Sequence, residues 1–163
     1  MKKITYLIIS FIFMMYINAC TGYKPIYTTN LQFKIANYSI KANKKLGNRI
    51  YSKLYHLSKS NENNPEAQSI TIIIDTTIDK SSAAKNSKGN VLEYRMTLKS
   101  VIIIKDHLTN DKIVNQNFSY STIYKVQKRN FETTKLENKT VEDLIDRIYI
   151  NLLIKMSENI LTE

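Results

Sequence analysis

Few side chains in this 163-residue sequence are of kinds that make or break bonds. There is one thiol, Cys20, and there are two imidazoles, His56 and His107. A lone cysteine can form neither an intramolecular disulfide nor a cysteine-based zinc site. No serine stands in G-x-S-x-G and no H-E-x-x-H occurs, so hydrolase and metalloprotease chemistry lack their signatures. The three glycines form neither G-x-G-x-x-G nor G-x-x-x-x-G-K, which leaves no loop to cradle a nucleotide phosphate. Glu142, Asp143 and Asp146 suit the solvated face and first turn of a helix better than acid–base work. His56 and His107 read as packing or surface residues. No catalytic residue, metal site or diffusible cofactor is assigned.

What remains is cationic. Lys and Arg number 24 against 14 Asp and Glu, a formal charge of +10. Only Arg49, Arg95, Arg129 and Arg147 are arginines. Ile, Lys and Asn are abundant together, as AT-rich coding produces, so the charge permits nucleic acid, anionic lipid or an acidic partner and selects none. Where the cations crowd, they say more. Lys80, Lys85 and Lys88 fall in a polar stretch, residues 79–89, expected to be a long loop. Lys125, Lys128 and Arg129 follow the last expected strand. Lys and Arg pair with phosphate through charge-assisted hydrogen bonds. Lys80, Lys85, Lys88, Lys128 and Arg129 are therefore the candidate contacts for a phosphorylated lipid headgroup.

The N-terminus has the order of a secretory signal: Lys2 and Lys3, an uncharged run from Ile4 to Ile17, then Asn18, Ala19 and Cys20. As a helix that run spans about 21 Å, short of the roughly 30 Å of a bilayer core. Ile17-Asn18-Ala19-Cys20 resembles the bacterial lipoprotein processing box, with Asn18 at a position where Ser, Ala or Thr is commoner. The resemblance implies cleavage before Cys20, an S-diacylglycerol on its thiol and an N-acyl group on the new terminus. Several acyl chains, at about 0.8 kcal/mol per buried CH₂, would hold such a protein on the membrane without spanning it. Thr21 is not the Asp that retains lipoproteins in the inner membrane of well-studied Gram-negative cells, which leans toward the outer membrane. Cleavage would remove Lys2 and Lys3, lowering the formal charge to +8. An envelope location also disfavours a nucleic-acid partner, although Tyr94, Tyr120 and Tyr124 beside lysines could stack single-stranded bases. Sheet tyrosines ordinarily pack and keep a polar handle.

The remaining elements follow from periodicity. Residues 1–19 read as signal, 20–30 as a lipidated tether and 31–163 as one domain. Leu31, Phe33 and Ile35 alternate in a half-buried strand. Leu46, Ile50, Leu54 and Leu57 form a helical stripe with Asn43 as N-cap. Residues 69–78, 91–105 and 113–126 read as strands, with a tight hairpin at 108–112. Val141, Leu144, Ile145, Ile148, Leu152, Met156 and Ile160 keep helical spacing, starting at a capping-box-like Thr140 and Asp143. The order β-α-β-β-β-α predicts an α+β fold, two helices on one face of a four-stranded mostly antiparallel or mixed sheet. The second sheet face would carry Lys, Thr, Asn and Ser.

Cys20-Thr21-Gly22-Tyr23-Lys24-Pro25-Ile26-Tyr27 resembles the C-G-[FY]-[KR]-P-[LI]-[YF] start of mature LPS-assembly lipoproteins, the LptE family, with Thr21 inserted after the cysteine. The element order is similar over the mature chain. The resemblance implies a noncatalytic outer-membrane lipoprotein that plugs an LptD-like β-barrel, assists its assembly and binds lipopolysaccharide during export. The family's glycolipid-contacting residues are not fixed by a motif here. Two other readings stay open: a periplasmic auxiliary lipoprotein of a lipid-transport ATPase, and an envelope scaffold without a lipid ligand.

Overall fold

The structure is a computed structural model describing residues 31–160; Cys20, the signal and the tether lie outside the described residues. Its elements are β1 (Phe33–Ala42), α1 (Lys44–Lys59), β2 (Gln68–Lys85), β3 (Val91–Asp106), β4 (Lys112–Lys125) and α2 (Asn130–Ile160). The four strands lie in sequence order in one sheet. β1 runs parallel to β2 because α1 carries the chain back between them, and the other pairs are antiparallel. The α+β architecture read from the sequence is the one formed.

Alternation sorts each strand into two faces. Ile70, Ile72 and Ile74 of β2, and Met96, Leu98, Ile102 and Ile104 of β3, are buried beneath the helices. Val114, Phe118 and Tyr124 of β4 join them. From α1 come Leu46, Ile50 and Leu54, and from α2 Leu144, Ile145, Ile148, Leu152 and Met156. One polar pair interrupts this layer: Thr76 and Ser100 lie opposite each other and share a 2.9 Å hydrogen bond. In β1 a bulge at residue 36 shifts the phase, so Phe33 before it and Ile40 after it both face α1. Gly47 lets α1 come close there, since a Cβ would collide with the Ile40 side chain. Asn43 caps α1 as expected, its side chain accepting from the Leu46 N–H at 3.2 Å.

Two boundaries differ from the expectation. Residues 79–85 are strand, not loop: Asp79, Lys80, Ser81 and Ser82 pair with Thr97, Met96, Arg95 and Tyr94. The long β2–β3 ribbon reaches past the main apolar layer, so its pairing comes from the main-chain ladder and leaves little hydrophobic alternation. Its turn is short, with Asn86 accepting from the N–H groups of Lys88 and Asn90 and Gly89 at φ +83°. Likewise α2 begins at Asn130, ten residues before Thr140, which is buried in mid-helix. This added segment packs chiefly through Leu136 and Glu137, with the Thr133 hydroxyl accepting from the Gln127 N–H at 2.9 Å, too sparse a stripe to read as helix.

Candidate functional site

The added lengths of β2 and α2 converge at one end of the sheet. Lys85 lies opposite Val91, and Glu93 opposite Lys125. The Val126 N–H donates to the Leu92 carbonyl at 2.9 Å, tying the β2–β3 turn to the β4–α2 connection. Lys85, Lys88, Lys128 and Arg129 are thereby brought to the same end, all exposed, together with Lys125. Among the described residues the one ion pair made by these side chains is loose, Arg129 with Glu132 at 3.9 Å across i,i+3.

Exposed apolar side chains share this end. Leu92 is 49% exposed, Ile123 48% and Phe131 77%, with Val126 beside them. A surface combining unpaired ammonium groups with large exposed hydrophobics is suited to an amphiphile with an anionic head and acyl chains. The sequence showed the cations; the apolar half was missed. Leu92 alternates in phase with Tyr94 and Met96, but it lies beyond the cover of the helices.

Lys80 is different. It sits in β2 on the helix-facing side, opposite Met96, and its Nζ reaches Glu137 Oε2 at 2.6 Å. The ammonium also stands 4.4 Å from the Tyr94 ring centroid and 5.8 Å from that of Tyr124. Tyr124 completes the group by donating its hydroxyl to Glu137 Oε2 at 3.0 Å. The Lys80 cluster thus clamps the start of α2 to the ribbon. Burial works to lower the Lys80 pKa, but the hydrogen bonds and charges of Glu137 and Tyr124 outweigh it and raise it. Burial raises that of Tyr124, with Glu137 adding to it.

Both shifts mean that the folded protein holds these protons more tightly than the unfolded chain does. The stabilisation is complete below the ordinary values of 10.0 and 10.5 and is lost as pH rises through the higher folded values. Tyr124→Phe is expected to cost about 1 kcal/mol near neutral pH, the net worth of a hydrogen bond. It should also reduce the loss of stability above pH 10. Thermal unfolding of both proteins at neutral and alkaline pH checks the pair of effects.

Three further arrangements complete the surface. Between the helices, Lys53 pairs with Asp146 at 2.7 Å and Glu142 at 3.2 Å, and Arg49 also pairs with Glu142. Glu142 and Asp146 therefore have partners that hold α1 to α2. The rings of Tyr38, Tyr51 and Tyr55 stack from β1 onto α1, with centroids 4.1 and 5.9 Å apart. The sheet face away from the helices carries Thr71, Thr77, Lys99, Asn117, Ser119 and Ser121, with Ile73, Val101 and Ile103 among them. Among the described residues no group of three or more His, Cys, Asp or Glu is placed to hold a metal ion, and no helix is long and apolar enough to cross a membrane.

No protein-family model and no curated protein matches the chain by sequence. Solved structures share its fold. Rare lipoprotein B from Shewanella oneidensis superposes with a TM-score of 0.54 at 14% identity, covering 77% of this chain and 97% of its own. A minor lipoprotein from Acinetobacter baumannii gives 0.54 at 16% identity, covering 78% and 92%. A lipoprotein B from Nitrosomonas europaea gives 0.55 at 17% identity, covering 81% and 86%.

Proposed function

We propose that the protein is a lipid-anchored outer-membrane component that plugs an LptD-like β-barrel, assists its assembly and helps deliver lipopolysaccharide to the outer leaflet. The observation that carries this reading is the end of the sheet to which Lys85, Lys88, Lys128 and Arg129 and the exposed Leu92, Ile123 and Phe131 are all brought. Phosphates and acyl chains on one ligand are the chemistry that such a surface takes. Two observations support the rest. The start of the mature chain resembles that of LPS-assembly lipoproteins, and the fold is one found in lipoproteins. The sheet's second face is polar enough to lie against a hydrated barrel wall. In this reading the protein binds and positions; it transforms nothing.

The test is purification of the tagged protein from detergent-solubilised outer membranes. A large β-barrel is expected to copurify at near-equal stoichiometry, and its absence would overturn the plug. Cys20→Ser is expected to abolish labelling by a radioactive fatty acid. Labelling that survived the substitution would overturn the anchor assignment.

A further inference from the structure

Among the described residues β4 is an edge of the sheet, bonded to β3 and to no strand on its other side. In an antiparallel ladder every second residue turns its N–H and C=O away from the neighbouring strand. The phase here is fixed by three contacts. Val126 N–H points inward to Leu92, whereas the carbonyls of Asn117 and Lys125 accept from the Gln116 and Gln127 side-chain amides. The outward groups therefore belong to the odd-numbered residues from 115 to 125. Between Lys112 and Lys125 the strand has neither proline nor charge, the two usual protections of an exposed edge. The opposite edge, β1, is interrupted by its bulge and by Ala42 at φ 53°.

Beside this open edge runs α2, and two hollows lie between them. One, of about 320 Å³, is lined by Tyr124 and Leu144 with Lys139, Asp143 and Arg147. The other, of about 390 Å³, is lined by Phe118 and Tyr120 with Ile154 and Lys155. A strand added to β4 would point every second side chain toward α2, where the hollows are. Main-chain pairing with pockets for alternate side chains is the general form of strand-addition recognition. The groove is also charged. Among the described residues Lys139 and Arg147 make no ion pair, and Asp143 is the only carboxylate lining either hollow.

We propose that the β4 edge and the groove beside α2 receive an extended segment of an acidic protein partner as a fifth strand. Its main chain pairs with the outward groups of residues 115–125, and Asp or Glu side chains enter the hollow beside Lys139 and Arg147. A second copy is the poorer occupant, because it brings Lys112, Lys125, Lys139 and Arg147 against the same four cations in a chain of net charge +10. This surface adjoins the end of the sheet assigned to lipid and shares Ile123 and Lys125 with it.

The test uses the full chain in detergent and two fluorescent peptides, one alternating Val with Glu and the other Val with Lys. The acidic peptide is expected to bind, to slow hydrogen exchange of β4 amides, and to lose affinity by about tenfold with the Lys139→Glu, Arg147→Glu double variant. Ser119→Pro, which removes one outward N–H, should weaken it similarly. Should that variant fail to fold by circular dichroism, the charge-reversed protein decides. The proposal is overturned if the acidic peptide does not bind at millimolar concentration or if the lysine peptide binds equally. Affinity unchanged in a folded Ser119→Pro or in the double variant would also overturn it. So would concentration-dependent protection of β4 amides without peptide, which would put a second copy on the edge.

Discussion

Leu98→Ala is expected to destabilise the protein by about 2–5 kcal/mol, the range for truncating a sealed core leucine. Leu98 has no exposed surface and sits on β3, between Ile78 of β2 and Tyr120 of β4. Its side chain lies in the layer that both helices cover, so no water can enter to fill the space left behind. A domain of this size is stable by roughly 5–15 kcal/mol in total, which makes this one change a large fraction of the whole. Leu92→Ala on the same strand supplies the contrast. Leu92 is 49% exposed, and its truncation should fall within about 0.5 kcal/mol of neutral. Urea denaturation separates the two, with a lower midpoint and an unchanged slope expected for Leu98→Ala. A loss below about 1 kcal/mol would contradict the sealing of β3 beneath the helices.

The same contrast explains what the sequence made legible. Leu46, Ile50 and Leu54 announce α1 because they are buried along one stripe, with Leu57 partly buried beside them. Asn43 announces its start because the cap is a local hydrogen bond. The far half of β2 is silent because Ser81, Ser82 and Lys85 are exposed and owe their conformation to pairing with β3. The first ten residues of α2 are silent for a related reason. Their main tertiary anchors are Leu136 and a carboxylate, Glu137, whose partners Lys80 and Tyr124 lie 57 and 13 residues away. Misreading residues 79–85 as loop also grouped Lys80 with Lys85 and Lys88. Strand alternation instead turns Lys80 under α2, while Lys85 and Lys88 continue to the end of the ribbon. The edge position of β4 was equally unreadable, since strand order is set by which strands pair and not by the residues within one of them.

Under the proposed function, replacing Lys85, Lys88, Lys128 and Arg129 together with glutamate is expected to weaken lipopolysaccharide binding at least about 100-fold. A hydrogen bond to a charged group contributes about 1.5–3 kcal/mol, and loss of two such contacts already exceeds the 2.7 kcal/mol that 100-fold represents. Reversal of sign adds repulsion between the carboxylates and the ligand's phosphates. Because all four side chains are exposed and make at most the loose Arg129–Glu132 pair, the variant should unfold near the wild-type temperature. Lys80→Gln should do the reverse, lowering the unfolding temperature while leaving affinity nearly unchanged, since its ammonium is engaged by Glu137 and two aromatic rings. Added salt should weaken binding to the wild type, as expected for exposed charges screened beyond about 8 Å at physiological ionic strength. The apolar share is separable by a second substitution, Leu92→Ser with Phe131→Ser. This pair should reduce affinity for intact lipopolysaccharide but not for its deacylated, phosphorylated saccharide. Equal loss for both ligands would mean that the end of the sheet reads phosphate alone. Unchanged binding by the four-glutamate protein would remove this surface from the site altogether.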